Sequence, residues 1–227
     1  MKVQSVILWM SLDLKPLFVP TMIPSSMRWI STGWKRVQAT SYLILSMYGS
    51  VDRMILTVKK HCSSNPDGSM LVAVGDFAQA ILLDRRSKHQ IHSGSTHEDF
   101  SFSSSWHPHG TMFATASQDT TTKIWDLRRL DQHLLSFDAH MSAFRSVQFS
   151  SCGKFLFMGE SADFVHIVEM DSWNRPTQTI DVYGELAGVS VSPESDFLFV
   201  GVTDSAYGCL SMFQRVQQVP SFEEFLL

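Results

Sequence analysis

The chain has 227 residues, 44% of them hydrophobic and 18% charged, with a formal net charge of −4. That balance excludes a disordered chain. No long basic run exists, only short pairs such as Lys59-Lys60, Arg85-Arg86 and Arg128-Arg129, so a broad phosphate-binding face and a nucleic-acid partner are not expected.

The first segment is apolar at Val6-Ile7-Leu8-Trp9-Met10. Asp13 and Lys15 follow at once, Pro16, Pro20 and Pro24 break it, and no small-residue cleavage site follows. This argues against a signal peptide. No run reaches the roughly 18 apolar residues that cross a bilayer, so no membrane partner is expected. Residues 1–50 hold Trp9, Trp29, Trp34 and a strand-like YLILSMY at 42–48. They are expected to form either one irregular blade or a non-native start from a shortened gene.

From there the chain repeats. The turns NPDG (65–68), HPHG (107–110), SSCG (150–153) and SPES (192–195) end at positions 42, 43 and 42 residues apart. ILLD, KIWD and HIVE end at Asp84, Asp126 and Glu169, 42 and 43 apart. Each turn precedes an apolar strand: MLVAVG (70–75), MFATAS (112–117), FLFMGE (155–160) and FLFVGV (197–202). Each strand then meets an acidic turn, at Asp76, Asp119, Asp163 and Asp204. Short strands with turns at this period predict an all-β chain built from propeller blades.

The unit resembles the WD repeat, most closely over 97–128. That resemblance implies a buried hydrogen-bond tetrad of His97, Thr115 (or Ser117), Asp119 and Trp125, with a structural role. The other repeats depart from it. His140 repeats the His97 position, but Val168 replaces the tryptophan, Asp163 is one residue off register, and Leu83 stands at the matching place of the first repeat. The segments SFSSSWHPHGTMFATASQD, FRSVQFSSCGKFLFMGESADFVHI and GELAGVSVSPESDFLFVGVTDSAYG are also similar to a poorly characterised WD-repeat family of plants and fungi. The implied fold is a WD-repeat β-propeller with about four recognisable blades, incomplete, the C-terminal part of a longer ring. The expected divisions are 1–50, four repeats at about 51–92, 93–135, 136–178 and 179–215, and a tail at 216–227. Open blade faces imply self-association, and the amphipathic VPSFEEFLL (219–227) is a candidate cover for one of them.

Catalytic chemistry finds little footing. His107 and His109 in WHPHG read as a turn, because no cysteine or carboxylate stands at ligand spacing, so no metal is expected. Cys62, Cys152 and Cys209 lack a CxxC, which argues against a disulfide framework and fits a reducing compartment, cytoplasm or nucleus. Ser103-Ser104-Ser105 has no nucleophile elbow, no phosphate-cradling glycine motif exists, and no cofactor is expected. Glu160 and Asp163 lie at a turn, where carboxylates serve backbone donors. The expected function is a non-catalytic scaffold for other proteins.

One segment is sharper. FATASQDTTTKIWDLR (113–128) resembles the box by which WD-repeat substrate receptors engage the damaged-DNA-binding adaptor of cullin-RING ubiquitin ligases. The resemblance implies that Asp126 and Arg128 face the adaptor while Asp119 and Trp125 hold the blade. An Arg128 exposed beside Asp126 favours that role, and an Arg128 absorbed in an intramolecular ion pair weakens it.

Overall fold

The structure is a computed structural model that describes residues 2–8, 59–87, 89–95, 97–172, 178–203 and 208–216. Trp9, Trp29, Trp34, the YLILSMY segment, Asp204 and the tail at 219–227 lie outside the described residues. Among the described residues every element is a strand, apart from one turn of 3-10 helix at Met170–Ser172.

The strands group into four antiparallel blades. Blade 1 is β2 (Lys59–Ser64), β3 (Met70–Gly75), β4 (Phe77–Asp84) and β5 (Gln90–Ser95). Blade 2 is β6 (Ser101–Trp106), β7 (Met112–Ser117), β8 (Thr121–Asp126) and β9 (Leu135–Asp138). Blade 3 is β10 (Phe144–Phe149), β11 (Phe155–Glu160), β12 (Ala162–Glu169) and the first part of β13 (Gln178–Val191). The rest of β13 is the inner strand of blade 4, followed by β14 (Phe197–Thr203) and β15 (Gly208–Val216).

Blade 4 takes its outer strand from the other end of the chain. β1 (Lys2–Leu8) pairs antiparallel with β15, Lys2 opposite Val216 and Leu8 opposite Leu210. The repeat pattern gave no sign of this, because the segment lacks the glycine turn and the acidic turn that mark the other strands.

β13 serves two blades by bending between them. Its register on β12 runs to Phe164 opposite Asp181 and then shifts to Ala162 opposite Glu185, and its register on β14 begins at the same Glu185, opposite Thr203. At the bend Tyr183 has φ 47° and Gly184 φ 147°. A Cβ on Gly184 would stand 2.7 Å from Val202 Cγ1, so the crossing needs glycine there.

The recurring turns lie where the first two strands of each blade meet. Gly68, Gly110 and Gly153 take φ 73°, 73° and 75°, and Ser195 takes the same left-handed conformation at φ 61°. SPES is therefore the same turn without its glycine, and the buried Ser195 is held at Oγ, 3.2 Å from Ser151 Oγ. A neighbouring turn is tied in the same way, His107 Nε2 lying 3.1 Å from the Gly153 carbonyl.

Blades stack face to face, so a middle blade is covered on both sides and its strands read as continuous apolar runs. Trp106, Phe113 and Trp125 face Val72, Val74 and Leu82 of blade 1. Ala114, Ala116 and Ile124 face Phe144, Val147 and Leu156 of blade 3. Phe157, Val165 and Ile180 meet Leu186, Val200 and Val202 of blade 4. The inner strands touch in sequence, β2 on β6 and β6 on β10, and β10 on β13. Among the described residues no such packing joins blade 4 to blade 1. The result is an all-β, incomplete β-propeller.

Candidate functional site

The geometry of blade 2 starts from a polar chain in its core. Trp125 on β8 donates its indole N–H to Thr115 Oγ1 on β7 at 2.9 Å. Thr115 Oγ1 lies 2.8 Å from His97 Nε2, and His97 Nδ1 lies 2.8 Å from Asp119 Oδ2. His97, Thr115 and Trp125 are buried. One proton placement satisfies the series with an ionised Asp119: the indole donates to the threonine, the threonine to Nε2, and Nδ1–H to the carboxylate. The imidazole is then neutral, and burial pushes its pKa below the ordinary value against the pull of Asp119. Burial pushes the Asp119 carboxyl upward, but Thr121, His97 and backbone donors bring it below the usual range. Ser117 stands apart from the series and closes the turn, donating to the Phe100 carbonyl at 2.9 Å.

Blade 3 solves the same problem with different residues. Glu160, at the end of β11, is buried and accepts from five donors. These are His140 N (2.7 Å), Met141 N (3.1 Å), Ser142 N (2.8 Å), Ser142 Oγ (3.2 Å) and His166 Nε2 (2.7 Å). His166 Nδ1 meets Thr179 Oγ1 at 3.2 Å. The His140 ring does not take the part of His97; it lies edge-on to His166, centroids 4.8 Å apart. Burial pushes the His166 pKa down. Burial pushes the Glu160 carboxyl up, and the hydrogen bond from His166 with those from the 140–142 backbone outweighs it. Glu160 thus ties blade 3 to the loop leaving blade 2. His166 carried no repeat signal, since the matching positions of the first two repeats hold Ile81 and Lys123.

The off-register Asp163 is explained by the turn. Thr120 and Asp163 share the left-handed conformation, φ 63° and 65°. Asp163 occupies that position itself, and its Oδ1 accepts the Gly184 N–H at 2.7 Å.

Asp126 and Arg128 lie at the opposite edge of blade 2, where β8 ends. The Arg128 side chain is 81% exposed and Asp126 14%. Nη2 donates to Oδ2 at 2.7 Å and Nε to Oδ1 at 3.0 Å, so the two residues pair with one another. The Arg128 hydrogen bonds hold the Asp126 carboxyl down at about 2. The backbone N–H of Arg128 also donates to Oδ1, at 2.9 Å. Beside the pair lies an open groove of about 380 Å³ lined by Asp126, Arg129, Gln132, His133 and Leu134. His133 packs edge-on against Trp125 at 5.9 Å, so the groove wall rests on the polar chain of the core.

Residues 88–126 match the family described as WD domain, G-beta repeat. The chain carries a WD repeat. Among curated proteins it is similar to "DDB1- and CUL4-associated factor 10" of Homo sapiens, 30% identical over 115 residues, which is 47% of this chain and 20% of that protein. The Xenopus tropicalis protein of the same name is 30% identical over 47% of this chain and 25% of its own length. The chain thus spans about a fifth to a quarter of the curated relatives it matches. Among solved structures, Kuenenia stuttgartiensis hydrazine synthase superposes with a TM-score of 0.60 at 15% identity, over 69% of this chain and 45% of that one. That likeness is one of fold alone. The architecture is a propeller of WD-repeat type.

Proposed function

We propose that this chain is a non-catalytic protein-interaction module that associates with DDB1 as part of a cullin-RING substrate receptor. The observation that carries this reading is the exposed Arg128 side chain beside Asp126 and its groove, at the end of the WD-repeat strand. The likeness to DDB1- and CUL4-associated factor 10 supports it. The tetrad and the Glu160 cluster are structural in this account: they fix the blade on which the pair is displayed.

The ion pair bears on the reading in both directions. It engages Arg128 Nε and Nη2, which weighs against a guanidinium already free for a partner. Yet the arginine of the pair is 81% exposed, so water and salt screen the contact from that side and the guanidinium has room to turn outward. Arginine also suits such a contact, because its planar fork binds carbonyls and carboxylates in fixed geometry. In this account the compartment is cytoplasm or nucleus.

The test is direct titration of purified DDB1 with the full chain by calorimetry. Arg128→Ala is expected to weaken binding by about tenfold or more, as for an interface anchor. Equal affinity of both proteins would show that 113–128 is only a blade.

A further inference from the structure

The edge opposite Arg128 has a different character. There, the loops that lead into β6, β10 and the second half of β13 meet the turns that follow β7 and β11. They form one connected surface. Ala139 N–H donates to the Thr120 carbonyl, Ser161 N–H to Ala143, and Leu186 N–H to Ser161. Two large apolar side chains stand out from it, Met141 at 77% and Tyr183 at 84% exposure. They bracket the same turn, the Met141 loop being held by Glu160 and the Tyr183 bend by Asp163. Exposed apolar side chains on firmly anchored loops are what a contact surface offers.

Charge decides what that surface fits. Glu98, Asp99, Asp138, Asp181 and Glu185 are exposed along it, with Asp163 half-buried between them. The described residues of these loops and turns hold no lysine or arginine. Two cations stand on the strands beneath it: Lys123 on β8, half-buried, whose charge reaches His97, and Arg145 on β10, which lies over the Phe102 ring at 5.6 Å. The Arg128 edge is mixed by contrast, with Arg85, Arg86, Arg129 and Lys154 exposed among its acids. A cation brought to the first edge meets a net negative field and the face of an accessible tyrosine ring.

We propose that this edge docks a basic peptide segment, one that sets lysines or arginines around an apolar side chain. The cations lie along Asp138, Asp181 and Glu185, and the apolar group lies between Met141 and Tyr183. The site is separate from the adaptor contact, and binding at one edge leaves the other accessible.

The probe is a short fluorescein-labelled peptide with lysines around a leucine and a phenylalanine, and a counterpart with glutamates in place of the lysines. Anisotropy is read on the full chain at low and high salt. The lysine peptide is expected to bind, more weakly as salt rises, and the glutamate peptide not to bind. Asp138→Asn, Asp181→Asn and Glu185→Gln together are expected to weaken binding by about tenfold, roughly twofold for each exposed charge removed. Met141→Ser with Tyr183→Gly is expected to weaken it at low and high salt alike. Arg128→Ala is expected to leave it unchanged, which separates this site from the adaptor contact. Equal binding of both peptides, binding of neither, or undiminished binding by the triple variant overturns the proposal.

Discussion

Removing the Glu160 carboxylate tests the reading of blade 3 most sharply. Glu160→Ala takes away the acceptor for five donors at once. His140 and Met141 are exposed, and their N–H groups turn to water. His166 is 1% exposed and has no such escape. Breaking a buried charged hydrogen-bond cluster from one side costs about 3–5 kcal/mol. Glu160→Gln should cost less, about 1–2 kcal/mol, for a specific reason. The amide oxygen keeps the Met141 and Ser142 donors, and the amide nitrogen donates to His166 Nε2 once the imidazole proton moves to Nδ1, where Thr179 Oγ1 accepts it. Urea unfolding of the full chain, followed by tryptophan fluorescence, gives both values. Nitrogen NMR of His166 reports the tautomer change. Equal losses in the two variants, or a loss below about 0.5 kcal/mol in Glu160→Ala, would refute the reasoning.

Three other outcomes follow from the same geometry. Thr115→Val keeps the shape of the side chain but strands the buried Trp125 and His97 nitrogens, a loss of about 2–3 kcal/mol in urea unfolding. Tyr183→Gly is expected to stabilise by about 0.5–1 kcal/mol, since φ 47° strains any residue with a Cβ and the exposed ring loses no packing; an unchanged or lower melting temperature contradicts this. Stability is expected to fall with acid in two stages. Burial pushes the pKa values of His61, His97 and His166 below 6.5, so the unfolded chain takes up protons first and the midpoint drops as pH falls through and below that value. Depressed carboxyls at Glu160 and Asp119 add a second loss as pH falls below 4.5 and 3.8. A midpoint that rises between about pH 7 and pH 5 would contradict the sign.

The blade strands were legible because their signal is covalent and periodic. A left-handed turn needs glycine or a small polar residue, and three glycines and Ser195 supply it at one spacing. Continuous apolar runs such as FLFMGE follow from blades covered on both faces. What escaped depends on contacts distant in sequence. β1 pairs with β15 across almost the whole chain, and nothing local marks it. The bend in β13 joins two blades through one continuous strand, so the repeat pattern hides the boundary. The Glu160–His166 cluster replaces the residues expected from blade 2, and substitution of one buried network by another leaves no repeat to read. His107 and His109 pack as a turn, the first against the Gly153 carbonyl and the Phe149 ring.

Hydrogen exchange of the full chain with and without purified DDB1 tests the central claim most directly, because it reports which edge is covered. Slowed exchange is expected across Asp126–Leu134, with no change at His140–Ser142 or Tyr183–Glu185. Protection confined to the Met141 and Tyr183 edge, or no protection at saturating DDB1, would contradict it.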